Sequence, residues 1–270
     1  MASDSVSLRF APGQPRVRLR ELTGTEERAV VGIATDDALR LLDALIITTP
    51  GEPAPPRADD LVASDRDRLL VAVYQRAFGD RIENTITCAR CANPFDINFS
   101  LGGLAGSLEN NAAGSTRARS LGGNRFETPE GLRFRLPTGH DERAIAALPA
   151  AEAETGLLRC CAVEDSAPIA AADANALQEL LAEVAPLVDL ELDARCPDCR
   201  HVHALQFDIQ SYLLGALLGE RPRLAQEIHR IAIAYGWAMQ EILSLGRHER
   251  RHFIELIDND AAARSRRLFG

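Results

Sequence analysis

The sequence contains no lysine, so arginine supplies all 30 of its lysine-or-arginine charges. GC-rich codons favour arginine and alanine, and this bias therefore indicates a GC-rich bacterial genome rather than a mechanism. No apolar run reaches the roughly 18 residues of a membrane-spanning helix, so we expect no membrane span. Residues 1–5 lack the basic and then apolar pattern of a secretory signal, and we expect none. The net charge of −9 argues against nucleic acid as the main partner, because phosphate binding needs clustered positive charge.

The chain can bury a sizeable core, since 46% of its 270 residues are hydrophobic. Its mixture of strand and helix patterns predicts an α+β fold. Residues 15–23 alternate apolar and polar side chains as a strand does, and residues 36–46 carry a leucine face typical of a helix. A second helix is predicted over 65–78, with Ser64 as its N-cap and aspartates in its first turn, where the helix dipole favours them. Gly79 is predicted to end that helix.

Composition and periodicity divide the rest of the chain. Residues 102–125 are rich in Gly, Ser and Asn and predict a mobile loop, whereas 126–136 predict a hairpin. Residues 141–187 are predicted to be helical. The predicted segments are 1–80 with a strand and helices, 81–210 with a split zinc ribbon and its inserted hairpin and acidic helices, and 211–270 as a helical module.

Four of the six cysteines form two C-x-x-C pairs, Cys88 with Cys91 and Cys196 with Cys199. The segments around the pairs align at an offset of 108 residues, with apolar residues at alternate positions on both sides. Each segment therefore predicts a strand, a tight knuckle and a second strand. Two such knuckles face to face would present four thiolates as the tetrahedron of a zinc ribbon. We therefore predict one structural zinc ion on these four cysteines.

The 104 residues between the two pairs are predicted to form a folded insertion. Their number is a weak objection, because each doubling of a flexible loop costs only about 0.6 kcal/mol. A redox C-x-x-C pair would be single and would lie at the start of a helix, and two disulfides would require an exported chain. A further variant replaces one cysteine ligand by His201 or His203. Cys160 and Cys161 are predicted to be buried small hydrophobic residues.

His248, Glu249 and His252 match the H-E-x-x-H pattern of zinc metalloproteases, in which the glutamate is the general base. The two intervening residues are arginines, and the segment after His252 lacks the glycine turn that would bring back a third ligand. We interpret this segment as an amphipathic helix with solvated charges. Because nine arginines stand against six acids in 221–270, we also predict either a docking module whose arginines face a partner or, equally, a plain helical cap on the core.

Short motifs that carry a family resemblance run along most of the chain. They are LRELTG at 19–24, DRDRLL at 65–70, GDRI at 79–82, CARC at 88–91, RLPTG at 135–139, CPDC at 196–199, EIHRIA at 227–232, YGW at 235–237 and EIL at 241–243. In this order and spacing they resemble a family of phage baseplate proteins, or baseplate hub assembly chaperones, of large contractile-tailed phages. Relatives of that family lie in phage-tail-like contractile injection systems.

The resemblance implies a non-enzymatic structural or assembly role in a contractile-tail baseplate. It implies partners among other baseplate or tail proteins, no small-molecule substrate, and assembly in the cytoplasm, with retention in the finished particle left open. One alternative is a zinc hydrolase that uses His248, Glu249 and His252. The other is a zinc ribbon that binds nucleic acid, which the net charge of −9 disfavours.

Overall fold

The computed structural model describes residues 5–13, 15–48, 54–113, 117–162 and 171–269. The strands in these ranges are β1 Ser5–Ser7, β2 Arg16–Leu19, β3 Ile46–Ile47, β4 Arg81–Thr87, β5 Pro94–Ser100, β6 Arg119–Gly122, β7 Arg125–Glu127, β8 Arg133–Arg135, β9 Asp189–Arg195 and β10 Val202–Asp208. The α-helices are α1 Gly24–Ala29, α2 Thr35–Leu45, α3 Ala63–Phe78, α4 Leu101–Ala113, α5 Gly139–Ile145, α6 Ala150–Cys161, α7 Ala171–Val184, α8 Ile209–Gly219, α9 Arg221–Tyr235, α10 Met239–Leu243 and α11 Arg247–Phe269. The fold is α+β, as predicted.

All four sheets are small and antiparallel. Strands β1, β2 and β3 form one sheet, and β6, β7 and β8 form another. The remaining two are the hairpins β4–β5 and β9–β10, which the alternating segments around the cysteine pairs predict. Strand β2 lies within the predicted strand 15–23, and α2 occupies the predicted helix 36–46 to within a residue at each end.

Helix α3 lies at the centre of the main core. Its residues Leu69, Leu70 and Val73 are buried, as the sequence predicts. They face a core that helices α2 and α8 share, and α4 packs on the same helix. The helix ends at Gly79, whose φ of +93° is a conformation that glycine adopts without steric cost.

The charged run that opens α3 differs from prediction. The helix begins at Ala63, so Ser64 is its second residue and not its N-cap. The preceding residue, Val62, is the N-cap; its backbone is extended and forms an isolated β-bridge with Thr138. Asp65 is fully buried. The helix dipole is not the sole interaction that stabilises its carboxylate, because it also accepts hydrogen bonds from backbone N–H groups of another segment.

Each charged side chain of the run contacts a different part of the chain. Asp65 accepts the N–H groups of residues 9–11 at 2.7, 2.8 and 3.2 Å. Arg66 pairs with Glu142 of α5, and Arg68 pairs with Glu109 of α4. Asp67 accepts the N–H of Val188, just before β9, at 2.9 Å. The run therefore holds the N-terminal segment, the insertion and the second hairpin on one helix.

Replacing Asp67 by Asn should flatten the pH dependence of stability. Burial raises the pKa of Asp67 from an ordinary 3.8 to about 7. Between these values the folded chain keeps a proton that the unfolded chain has lost, so stability falls as pH rises. The slope is at most about 1.4 kcal/mol per pH unit. Asp67→Asn, which keeps an acceptor for the Val188 N–H, should match wild type near pH 4 and exceed it at pH 8. Urea unfolding at several pH values measures this, and parallel profiles would contradict it.

The predicted mobile loop 102–125 is wrong over most of its length. Residues Leu101, Leu104 and Leu108 recur at helical spacing and pack on the main core, so they form one face of helix α4. The first turn is capped, because Asp80 accepts the Gly102 N–H and Ser100 accepts the Gly103 N–H. Burial of the leucine face outweighs the low helix propensity of the glycines. Strand β6 follows, and residues 114–116 lie outside the described ranges.

The rest of the insertion agrees with prediction. Strands β7 and β8 form the expected hairpin, in which Phe126 pairs with Phe134. Helices α5, α6 and α7 occupy the predicted helical stretch, of which residues 163–170 lie outside the described ranges. Phe126, Phe134 and residues of α6 and α7 share a second hydrophobic core.

The C-terminal segment is helical, as predicted. Helix α9 ends at Gly236, whose φ is +73°, the left-handed cap expected there. Helix α11 packs along α9, and α10 lies between them in sequence. Helix α1 joins this module, because Gly24 donates its N–H to the Leu245 carbonyl at 3.3 Å.

No helix in the described part of the chain combines the length and apolar character needed to cross a membrane.

Candidate metal centre

The two hairpins that carry the cysteine pairs have the same strand-pairing register. In β4–β5, Ile86 pairs with Phe95, and in β9–β10, Ala194 pairs with His203. Both members of the second pair are 108 positions later than those of the first, and the same offset relates all seven pairs of each ladder. The repeat predicted from cysteine spacing and apolar alternation is confirmed.

The knuckles repeat each other as well. In the first knuckle the Ala92 N–H donates to the Cys88 carbonyl at 2.8 Å, and in the second the Arg200 N–H donates to the Cys196 carbonyl at 3.0 Å. Ala92 and Arg200 have φ of +59° and +61°. A left-handed residue after each C-x-x-C turns the chain into the returning strand and brings both cysteines of a pair to one side of the turn.

Ala92→Val should destabilise the first knuckle. A β-branched side chain in the left-handed region is strained, at a cost on the order of 1–3 kcal/mol. Ala92 is exposed, so the substitution changes no buried packing. Ala92→Gly is the matched control, and it should leave stability within about 0.5 kcal/mol of wild type, because relief of strain offsets the flexibility of glycine. Thermal unfolding measures both variants, and equal melting temperatures for them would contradict the strained turn.

The facing knuckles bring four sulfurs together. The Sγ atoms of Cys88, Cys91, Cys196 and Cys199 all lie within 4.8 Å of one another. Cys88 and Cys199 are 3.5 Å apart, and Cys91 and Cys196 are 3.7 Å apart. A tetrahedral zinc site with Zn–S bonds of about 2.3 Å has sulfurs separated by about 3.8 Å. The cluster therefore fits a tetrahedral thiophilic metal ion.

The surroundings of the cluster are apolar. Cys88 and Cys196 are 1% and 0% exposed, and they share a small core with Phe95 and Ala194. At the rim, the Asn93 side-chain amide donates to the Asp198 carboxylate at 2.9 Å and joins the two knuckles. The cluster is thus shielded from water on the side of Cys88 and Cys196, whereas Cys91 and Cys199 are half-buried.

The thiols of the cluster do not share one acidity. Burial alone would raise the pKa of Cys88, but N–H groups of its own knuckle and the ring of His203 outweigh it and lower this pKa to about 5. Cys91 accepts the Asn93 N–H, yet burial and the neighbouring sulfurs raise its pKa to about 12. One thiolate forms readily and repels the next. A divalent cation among the sulfurs would remove that repulsion, so the donor set fits a cation.

Neither nearby histidine belongs to the group of ligating atoms, which consists of sulfurs alone. The His203 Nε2 lies 3.4 Å from the Cys88 Sγ, at hydrogen-bond distance, and the His201 ring packs edge-on against His203 at 4.7 Å. Of the two remaining cysteines, Cys161 is fully buried, as predicted, and burial raises its pKa to about 12. Cys160 is half-buried.

The H-E-x-x-H segment lies at the start of α11, far in sequence from the cysteines. His248, Glu249 and His252 are exposed. Among the described residues, the four cysteines are the sole group of three or more ligating side chains close enough to hold a metal ion. The expectation that all charges of this segment are solvated is wrong, because Arg250 is 1% exposed.

Arg250 is the centre of a buried ionic cluster in the C-terminal module. Its guanidinium donates to Glu27 at 2.8 Å, to Glu227 at 3.0 Å and to the Leu245 carbonyl at 2.8 Å. Arg247, 4% exposed, lies 3.5 Å from the same Glu27 carboxylate. The predicted outward display of the module's arginines is therefore wrong for these two. The cluster was missed because Glu27 is more than 200 positions away, and nothing local marks it as their partner.

Comparison of the chain with protein-family models, with curated proteins and with solved structures found no match.

Proposed function

We propose that this protein is a non-enzymatic structural or assembly component of a contractile phage tail or phage-tail-like injection system. In this proposal it works in the baseplate with other tail proteins as partners. The proposal is supported by the motif resemblance that runs from residue 19 to residue 243. The geometry supports the non-enzymatic part of it through the four-cysteine cluster, because four thiolates around one ion leave no open position for water or substrate.

We propose zinc as the ion, in a split zinc ribbon. Thiolates are soft ligands, and tetrahedral all-sulfur sites are characteristic of zinc or iron. Paired C-x-x-C knuckles that each lie between two antiparallel strands favour a structural zinc site. Cys88, Cys91, Cys196 and Cys199 would hold the ion, and the metal would contribute cohesion rather than chemistry.

The observation that carries the proposal is the joining of distant chain segments at one point. The two knuckles are separated by 104 residues, and the intervening insertion supplies helices α4 to α7 and its own sheet. A metal at the cluster would close both ends of this insertion. Closing both ends would restrict the movement of the inserted helices and sheet relative to the two hairpins. A rigid surface of this kind would suit a protein that acts by contacting other proteins.

The proposal is tested by deleting the gene in a host where tail sheath and tube genes lie beside it. Electron microscopy should then show tubes or sheaths without complete baseplates. The wild-type gene and Cys160→Ser should restore particles, whereas Cys196→Ser should not. Normal particles in the deletion strain would overturn the proposal.

Glu249→Gln distinguishes the hydrolase alternative in the same assay. It should restore particles as well as wild type does, and purified protein should contain a single zinc ion. A second, histidine-bound zinc with cleavage of tail proteins that a chelator stops and Glu249→Gln abolishes would establish the enzyme instead.

A further inference from the structure

The two inner cysteines of the cluster are not equivalent, although the hairpins that carry them repeat each other. Cys88 opens the first knuckle and Cys196 opens the second, and both are buried. The His203 Nε2 lies 3.4 Å from the Cys88 Sγ. In the repeat, His203 occupies the position that Phe95 occupies in the first hairpin. A phenyl ring has no nitrogen, so the repeat places a ring nitrogen at hydrogen-bond distance from a sulfur on the Cys88 side of the cluster, where the corresponding ring on the Cys196 side is phenyl.

His203 is held in place by its neighbours. It is half-buried on β10, where it pairs with Ala194 of β9. Its ring centroid lies 5.6 Å from that of Phe95. It lies 4.7 Å from that of His201, and these two rings pack edge-on. A side chain fixed by a strand and two rings keeps its Nε2 directed at one sulfur.

We infer that His203 is a positioning residue of the metal centre, whose Nε2–H donates a hydrogen bond to the Cys88 thiolate. The inference rests on the proposed zinc site. Four thiolates and one divalent cation carry a net charge of −2, and this charge lies against the small apolar core that includes Phe95 and Ala194. An N–H donor at one sulfur delocalises part of it and fixes the rotamer of that ligand. Outer donors of this kind typically change metal affinity 10- to 100-fold.

The test uses the full chain loaded with cobalt(II), which reports sulfur ligands by its charge-transfer absorption. His203→Phe reproduces the residue found at the equivalent place in the first hairpin, so a ring of similar size is retained. Loss of the hydrogen bond should raise the energy of the sulfur electrons and move the charge-transfer band to longer wavelength. Chelator competition should show about 10-fold weaker zinc binding. His203→Gln, which keeps an N–H donor, should recover part of both effects.

His201→Phe is the matched control, because the contact of His201 with a sulfur is made by its backbone N–H, to Cys199, which the substitution keeps, and a phenyl ring can keep the edge-on packing against His203. It should leave the band and the affinity unchanged. If His203→Phe folds poorly, His203→Gln against His203→Met gives the same comparison between a donor and an apolar chain of similar length. Identical bands and affinities for the donor and apolar variants would overturn the inference while leaving the zinc site intact. A wild-type chain that binds neither metal would overturn the proposed zinc site itself.

Discussion

Cys196→Ser is expected to release the metal and to lower the melting temperature by at least about 10 °C. Structural zinc contributes on the order of 10 kcal/mol in small peptides, whereas whole domains are stable by only about 5–15 kcal/mol. For a chain of this size, each kcal/mol corresponds to roughly 2–4 °C. Cys196 is fully buried at the point where both hairpins meet, so its loss also leaves the remaining sulfurs without a fourth partner.

Cys160→Ser is the matched control for this prediction. Cys160 is also a free cysteine, but it lies in α6, in the insertion, and outside the four-sulfur group. Its substitution should leave the zinc content unchanged and shift the melting temperature by only a few degrees. Metal analysis and thermal unfolding of both variants measure the difference. A native wild-type protein that contains no metal and carries disulfides between the four cysteines would contradict the prediction.

The metal centre was predictable from sequence because its determinants are local and repeated. Spacing within each C-x-x-C pair sets the knuckle, and apolar alternation on both sides sets the strands. An identical pattern 108 residues later then indicates that the two units pair. The sequence pattern does not predict the contact between His203 and Cys88. The equivalent residue in the first hairpin is Phe95, and the contact depends on how the two hairpins face each other.

The interactions that hold the chain to α3 were not predictable in the same way. The run Asp65–Arg68 has the composition of a solvated helix start, and the burial of Asp65, Arg66 and Asp67 follows only from the segments that cover them. Asp67, for example, binds an N–H that lies 121 positions away. Periodicity indicates which face of a helix is buried, but not which distant backbone amide a carboxylate will meet. The same limit applies to α4: its Gly, Ser and Asn content predicts a loop, and the core that its leucines meet is formed by other segments of the chain.

Arg250→Met is expected to destabilise the protein by about 3–5 kcal/mol, because two buried carboxylates lose their shortest ion pairs and keep only arginines at 3.5 Å or more. Glu27 and Glu227 are 2% and 6% exposed, and both accept hydrogen bonds from this one guanidinium. Methionine fills similar volume, so the loss reports the uncompensated charges more than a cavity. Equilibrium unfolding in urea measures it, with the midpoint falling at nearly constant slope.

Two further variants separate this structural role from a metalloprotease motif at the same positions. Glu249→Gln alters an exposed neighbour and should change stability by less than about 0.5 kcal/mol. Combining Arg250→Met with Glu27→Gln and Glu227→Gln neutralises both carboxylates, while Arg247 keeps its ion pair with Glu220 at 3.4 Å. The combination should recover part of the loss, since neutral replacements of buried ion pairs are often tolerated. If Arg250 were instead an exposed arginine of an H-E-x-x-H helix, Arg250→Met would change the free energy of unfolding very little. That outcome would show that the Glu27–Arg250–Glu227 cluster does not hold α1, α9 and α11 together.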